Sequence, residues 1–318
     1  MNEFEQFKQL QEFMDSRIIG QKELNKRLLI ALLSSGHLLV EGAPGLAKTT
    51  AIKSLSSCID CSYQRIQFTP DLLPADLTGT DIYIPEQQTF KFQSGPLFNN
   101  FLLADEINRA PAKVQSALLE AMGEKQITIG KTSYSLPKLF LVMATQNPIE
   151  HEGTYPLPEA QLDRFMLYVK IGYPQQEDES KILALNKNGS IEMNSNKPTL
   201  TQDTIFNAQQ QIQNVYVSKA IEEYIIQLIM ATRYSSKYDE QLAKLILFGA
   251  SPRATIALER TARVNAWLEG RDFVTPHDIH SLVHEVLRHR IIPSFEAEVD
   301  GVTSDQIVDK ILNIVAIP

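Results

Sequence analysis

One short loop constrains the fold of this chain more than any other feature of its sequence. Residues 42–49 read Gly-Ala-Pro-Gly-Leu-Ala-Lys-Thr, between an apolar run at 37–41 and a helical pattern at 49–57. This order matches the pattern GxxxxGK[ST] of a phosphate-binding loop, whose backbone N–H groups face an anion at a helix N-terminus. One position departs from the pattern, because Ala47 stands where a second glycine is expected. The flanking strand and helix disfavour the alternative of a chance Gly/Pro turn.

The loop predicts a site for a nucleotide and a metal ion. Lys48 would reach the β- and γ-phosphates, and the Thr49 hydroxyl would face Mg²⁺. The predicted ligands are therefore a nucleotide with β- and γ-phosphates and Mg²⁺. The residues predicted to surround the phosphates are Gly42, Ala43, Pro44, Gly45, Leu46, Ala47, Lys48, Thr49 and Thr50.

Composition limits the number of domains and the kinds of partner. The chain has 318 residues, of which 43% are hydrophobic, and this is enough for two domains with separate cores. Its net charge of −8 disfavours a general role in binding nucleic acid or membrane surfaces. The N-terminus is acidic, unlike a signal peptide, and no apolar stretch approaches the length of a transmembrane helix. We therefore expect a soluble cytoplasmic protein without membrane insertion.

Apolar, β-rich runs alternate with helical patterns in the first half of the chain. Several are apolar at consecutive positions, as in strands that are buried on both faces of a parallel sheet. The predicted strands are 37–41, 63–68, 101–105, 139–145 and 166–171. Alternation around a turn predicts two inserted hairpins, at 81–92 and 126–136. The fold class is thus α/β, with a parallel sheet between helices.

The second half of the chain has a different pattern. From 175 to 203 the sequence turns polar, and beyond that it reads as helical to the end. We therefore predict an α/β domain over 1–174, with 1–16 as an N-terminal helical extension. We predict that this domain is followed by a polar connection over 175–203 and an all-α domain over 204–318.

A second strand supplies the carboxylates that hydrolysis would need. Residues 101–104 are apolar, so Asp105 and Glu106 emerge at the carboxyl end of a buried strand, where open parallel sheets place ligands. Asp105 would hold the hydration shell of Mg²⁺, and Glu106 would polarise the attacking water. The alternative is a strand that ends in solvated acids.

Two other groups of residues suggest metal or redox chemistry only weakly. Cys58 and Cys61 form a C-x-x-C pair, but no second pair completes a zinc site, so we expect two partly buried thiols. His277, His280 and His284 fall on one face of a helix predicted over 276–288. We expect a structural role for these histidines, since further ligands are not evident in the pattern.

Three longer stretches resemble a known family. Residues 103–122, 143–165 and 248–254, the last followed by 270–278, closely resemble the MoxR family of AAA+ ATPases, and the resemblance covers the chain from about residue 17 onward. It implies an AAA+ P-loop NTPase core followed by an all-α lid domain. It also implies hexameric rings that hydrolyse ATP and remodel protein complexes like a chaperone, often with partners that bear von Willebrand factor A domains.

The resemblance also implies roles for individual residues. Asn147 resembles sensor 1, which positions water and reads the γ-phosphate. Arg164 resembles an arginine finger offered to the ATP of the neighbouring subunit. Arg253, in a first helical turn, resembles sensor 2, which the lid brings to the γ-phosphate of its own subunit. Gly20 lies in a segment that resembles the one beside adenine, whereas Arg109 could contact a neighbouring subunit or fix its own loop.

The same residues are compatible with other roles. Asn147 could form an Asn-Pro turn, Arg164 a surface ion pair with Asp163 or Glu159, and Arg253 a solvated helix start. A nucleic-acid-dependent motor and a nucleotide-dependent switch with low turnover are the alternative functions. The acidic chain disfavours the motor, and the region of the second hairpin, 124–138, is only weakly basic, with Lys125, Lys131 and Lys138 against one Glu. No chemical role follows from the sequence for His151.

Overall fold

The computed structural model describes residues 2–130, 132–148, 153–187 and 197–318. Lys131 and His151, which the sequence analysis singled out, lie outside these ranges. Contacts divide the chain into two compact units. The first contains Gln9–Arg164 and Val169–Gln202, and the second contains Met1–Lys8, Phe165–Tyr168 and Asp203–Pro318.

A five-stranded sheet forms the centre of the α/β fold. Its members are β1 (Leu38–Glu41), β2 (Tyr63–Gln67), β5 (Phe101–Asp105), β8 (Leu141–Gln146) and β9 (Leu167–Lys170). The spatial order is β2-β5-β8-β1-β9, and the pairs β2–β5, β5–β8 and β8–β1 are parallel. All five predicted strands are thereby confirmed, as is the α/β fold class.

The apolar runs occupy the middle of the sheet because both of its faces are covered. The side chains of β5 and the first five residues of β8 are buried, whereas β2, at the edge, is buried only at Ile66. Helices of this part of the chain are α1 (Glu3–Arg17), α2 (Lys22–Leu33), α3 (Lys48–Ser57), α4 (Pro74–Thr78), α5 (Ala112–Glu124), α6 (Glu159–Leu162) and α7 (Gln176–Lys187). Helix α7 lies within the stretch that the sequence predicts as a polar connection.

Both predicted hairpins are confirmed. Strands β3 (Gly79–Ile84) and β4 (Thr89–Ser94) pair antiparallel, as do β6 (Gln126–Ile129) and β7 (Thr132–Ser135). The rings of Phe92 and Tyr134 stack with centroids 4.2 Å apart, so the two insertions pack against each other.

The rest of the chain is predominantly helical, as predicted for an all-α lid. Ser218 and Ser251 cap two of its longer helices by accepting hydrogen bonds from backbone N–H groups. Its elements are α8 (Gln202–Gln213), α9 (Lys219–Arg233), α10 (Glu240–Leu245), β10 (Ile246–Phe248), α11 (Pro252–Leu268), α12 (Pro276–His280), α13 (Val283–Leu287), β11 (Ile292–Pro293), α14 (Phe295–Val299) and α15 (Ser304–Ile314).

The single helix predicted over 276–288 is wrong, because the chain forms α12 and α13 instead. The Ser281 hydroxyl donates to the Asp278 carbonyl at 3.0 Å, and the Leu282 N–H turns to the Ile279 carbonyl at 3.1 Å. A side-chain hydroxyl that takes a backbone acceptor in this way competes with the helical hydrogen bond.

Because the helix is interrupted between α12 and α13, the histidines contact different neighbouring helices. His280 contacts the Tyr224 hydroxyl on α9 at 2.7 Å, and His284 contacts Asp309 on α15 at 2.9 Å. These contacts fit the structural role that the sequence analysis expected.

The C-x-x-C pair consists of two free thiols, Cys58 buried and Cys61 partly buried. Burial raises the pKa of both thiols, that of Cys61 to about 11. Both therefore stay protonated and weakly nucleophilic near neutral pH.

Candidate active site at the carboxyl edge of the sheet

The order of the strands brings three predicted site segments to one edge of the sheet. The glycine-rich loop follows β1, Asn147 follows β8, and Asp105 ends β5, with β8 between the other two strands. The Gly42 N–H donates to the Gln146 carbonyl at 3.3 Å and so joins the loop to the end of β8. Asn147 is buried at this edge, between the loop and the acidic pair in the sheet order.

Glycine is required at two positions of the loop for different reasons. Gly45 adopts φ +83°, in the left-handed region that glycine enters without a steric cost. At Gly42 the constraint is space, because a Cβ there would lie 2.4 Å from Cγ1 of Ile171.

Ala47, the departure from the loop pattern, is also left-handed, with φ +57°. For a residue with a Cβ this conformation costs about 1–2 kcal/mol. The penalty of alanine at this position is therefore conformational, rather than the small steric intrusion that the pattern alone suggests.

The loop and the start of α3 present donors suited to an anion. Within the described residues, the backbone N–H groups from Gly45 to Thr50 donate no hydrogen bond. Unpaired N–H groups at the start of a ten-residue helix, together with its dipole, favour a phosphate there. Thr49, in the first turn of α3, is partly exposed.

Lys48 is held at the loop in this structure. Its ammonium group donates to the Gly42 carbonyl at 2.6 Å. Burial lowers the pKa of Lys48, and the negative charges of Asp105 and Glu106 oppose that effect. The site thus already contains charges of both signs close to the loop.

Both oxygens of the buried Asp105 carboxylate have defined partners. The Thr145 hydroxyl donates to Oδ1 at 2.5 Å, and Arg65 donates to Oδ2 through Nη2 at 2.7 Å and Nε at 3.1 Å. The same Thr145 oxygen accepts the Glu106 N–H at 3.0 Å. One hydroxyl therefore orients both acidic residues.

Glu106 has an uncommon backbone conformation, with φ +56°, and two polar partners. Gln67 donates to its Oε2 at 2.7 Å, and Arg109 donates to the same oxygen at 3.2 Å. A left-handed non-glycine residue is a strained position of the kind that clusters at functional sites. Arg109, whose role the sequence left open, has a partner within its own chain.

The sequence pattern did not single out Arg65, Gln67 and Thr145. Arg65 Nη2 also donates to Gln67 Oε1 at 2.9 Å, so a continuous network on β2 and β8 joins the two acids. The available signal was the alternation on β2, where polar side chains at 65 and 67 flank the buried Ile66. Thr145 carried no such signal, because a single threonine in an apolar strand is common in sheets.

The two predicted arginines and Gly20 have defined local contacts. Arg164 donates from Nη1 to the Leu119 carbonyl on α5 at 2.9 Å, rather than to Asp163 or Glu159. Arg253 belongs to the second unit, in the first turn of α11, where its N–H donates to Ser251 Oγ at 3.2 Å. Gly20 adopts φ +80° and approaches Pro174 so closely that an added Cβ would lie 3.0 Å from that side chain.

The oxygen ligands at this edge suit a hard cation that keeps some of its waters. Asp105 offers a carboxylate and Thr49 a hydroxyl, whereas no group of three or more His, Cys, Asp or Glu side chains in the described ranges could hold a metal ion alone. Mg²⁺ is commonly bound by one or two protein oxygens and by the phosphates of a nucleotide. The residues therefore fit a nucleotide with Mg²⁺.

Comparisons with known proteins agree with this geometry. Residues 37–167 match the model of the ATPase family associated with various cellular activities (AAA), and residues 241–311 match an AAA lid domain. The chain is 43% identical to the protein named Chaperone MoxR1 of Mycobacterium tuberculosis, over 95% of this chain and 79% of that one. It is 30% identical to Protein MoxR of Methylorubrum extorquens, over 86% and 84% of the two chains.

A solved structure supports the same assignment. A protein from Cytophaga hutchinsonii that is provisionally described as an ATPase superposes with a TM-score of 0.90 and 45% identity, over 99% of this chain and 96% of that one. Among the residues that the structure describes, no helix has the length and apolar character needed to cross a membrane. The α/β core with its lid agrees with these matches, as do the loop and the acid pair at one sheet edge. These matches show that the chain belongs to the MoxR family of AAA+ ATPases.

Proposed function

We propose that the protein hydrolyses ATP to ADP and phosphate at the carboxyl edge of its sheet, and that it works as a ring-forming, chaperone-like remodeller of protein complexes. The observation that supports hydrolysis most directly is the arrangement of Asp105 and Glu106, which share the Thr145 hydroxyl next to the loop strand. A protein that only bound nucleotide would not need a second oriented carboxylate.

Each residue has a distinct task in this proposal. The N–H groups from Gly45 to Thr50 and the Lys48 ammonium bind the phosphates. Thr49 and Asp105 would hold Mg²⁺, which offsets phosphate charge when bound. Glu106 polarises the attacking water and accepts its proton.

Three further residues complete the proposed site. Asn147 positions the water as sensor 1, and Arg253 acts as sensor 2 from the lid. Arg164 stabilises the developing charge on the ATP of a neighbouring subunit, which makes a homo-oligomeric ring, most simply a hexamer, necessary for activity. Gly20 lies beside the adenine, where backbone contacts are sufficient.

The clients are proposed to be proteins. The relative in M. tuberculosis is named a chaperone, and by family analogy the partners include proteins with von Willebrand factor A domains. The acidic net charge of −8 makes nucleic acid a less suitable client than protein.

Phosphate release from Mg²⁺-ATP, with particle masses measured alongside, tests the proposal. We expect release that requires Mg²⁺ and assemblies whose size depends on nucleotide. Full activity in a monomer would contradict the proposal that a ring is required. Nucleotide binding without turnover would favour the nucleotide-dependent switch. Salt-sensitive DNA affinity with DNA-stimulated turnover would favour the motor instead.

Thr145 provides a test of the metal assignment. Thr145→Val removes the hydroxyl that orients Asp105 and preserves the shape of the side chain, so we expect Mg²⁺ dependence to shift by about 10–100-fold towards higher concentration. The measurement is the Mg²⁺ concentration that gives half-maximal hydrolysis. Thr145→Ser keeps the hydroxyl and is the matched control. An unchanged Mg²⁺ response in the valine variant would contradict the role of Asp105.

A further inference from the structure

Helix α5 contains a glycine that its backbone does not require. Gly123 is exposed, lies in the last turn of α5, and is not among the residues with positive φ. Glycine is one of the least favourable residues in a helix, and alanine is the most favourable. The reason for glycine at this position must therefore lie outside the helix.

The guanidinium of Arg164 occupies the space that a side chain at position 123 would fill. A Cβ built on Gly123 would lie 1.9 Å from Nη1 of Arg164 and 3.1 Å from its Cζ. The same Nη1 donates to the Leu119 carbonyl at 2.9 Å. Only a residue without a Cβ allows the guanidinium to lie across the helix and reach that carbonyl.

The charges around the Leu119 carbonyl favour a cation at this position. The C-terminal end of a helix carries partial negative charge. Glu120 and Glu124 line the same open cleft as Arg164 and add formal negative charge around it. The Arg164 main chain is anchored as well, because its N–H donates to the Gln161 carbonyl at 3.1 Å.

We propose that Gly123 is a positioning residue for Arg164, which it holds on the Leu119 carbonyl in the orientation that the neighbouring subunit requires. This inference rests on the proposed function, in which Arg164 is the arginine finger. Gly123 itself touches neither nucleotide nor water in this role. It acts only by leaving room for the guanidinium.

Gly123→Ala tests this directly. The atom displaced is the far end of a flexible side chain, so we expect a folded protein whose kcat falls by about 10–100-fold, since a misplacement of about 1 Å has effects of that size. The dissociation constant for nucleotide should not change. Lys113→Ala, at an exposed position early in α5, is the control for substitution in this helix and should keep wild-type turnover.

A double variant separates positioning from a general structural effect. In an Arg164→Ala background, Gly123→Ala should cause no further loss of kcat, and it should raise the thermal midpoint because alanine favours the helix. Equal losses of rate or of thermal midpoint in both backgrounds would show that the effect does not pass through Arg164, and would overturn the inference.

The failure of this inference can be told apart from failure of the proposed function. If Arg164→Ala abolishes turnover but Gly123→Ala has wild-type kcat, Gly123 does not position the finger. The assignment of Arg164 as the arginine finger is then unaffected. If Arg164→Ala keeps full turnover, the arginine finger is wrong and the inference falls with it.

Discussion

Glu106→Gln is expected to lower the rate of ATP hydrolysis by about 10²–10⁴-fold, the range typical of a general base. The amide matches the carboxylate in shape but does not accept a proton from water. Its oxygen still accepts hydrogen bonds from Gln67 and Arg109, the partners of Oε2 in the structure, so the loop should keep its conformation. Single-turnover phosphate release measures the rate.

Nucleotide affinity is the control for this variant. Lys48 and the loop are untouched, so binding of a fluorescent ATP analogue should match that of the wild-type protein. Turnover at the wild-type rate would show that Glu106 is not the base. A stable ATP-bound form would also be a reagent for identifying the client, by co-purification from cell extract.

Arg164→Ala is expected to reduce turnover by about 10³–10⁵-fold, the contribution of an arginine supplied to a phosphoryl transition state. The guanidinium donates to the Leu119 carbonyl of its own chain, and the hydrogen-bond partners of Asp105 and Glu106 in the structure are other residues. Its loss should therefore leave the local geometry of Asp105 and Glu106 intact. The steady-state hydrolysis rate, compared at equal nucleotide occupancy, measures the effect.

Mixing two inactive variants tests whether Arg164 acts in trans. In a mixed ring, an Arg164→Ala subunit keeps its own Glu106, and a Glu106→Gln neighbour still offers an intact Arg164. Sites at that junction are complete, so partial activity should return after subunit exchange. If the mixture stays as inactive as its components although mixed rings form, the arginine acts within its own subunit.

Much of the fold could be predicted because its signals are local. The central strands β5 and β8 appear as apolar runs, since both faces of the sheet are covered there. The helix starts at Ser218 and Ser251 carry residues that cap through their own side chains. The break between α12 and α13 was missed, because periodicity does not reveal that the Ser281 hydroxyl competes for a backbone acceptor.

The network that joins the acidic residues could not be predicted in the same way. Arg65 and Gln67 lie about forty residues before the carboxylates they contact, and the pairing of β2 with β5 brings them together. A single sequence does not indicate which strands are neighbours in the sheet. The same limit applies to Gly123, whose need for glycine depends on a side chain 41 residues away in the chain.

In the sequence, residue type and short-range spacing are enough to identify the chemical groups of the site and most of the succession of strands and helices. The groups are the loop with Lys48 and Thr49 and the acids Asp105 and Glu106. How these groups are oriented depends on the folded structure. The anchoring of the Glu106 N–H, the shared Thr145 hydroxyl and the contact of Arg164 with α5 all depend on packing between segments that are distant in sequence. Side-chain orientation follows from such contacts, because many neighbours at once decide which rotamer and which hydrogen-bond partner a residue adopts.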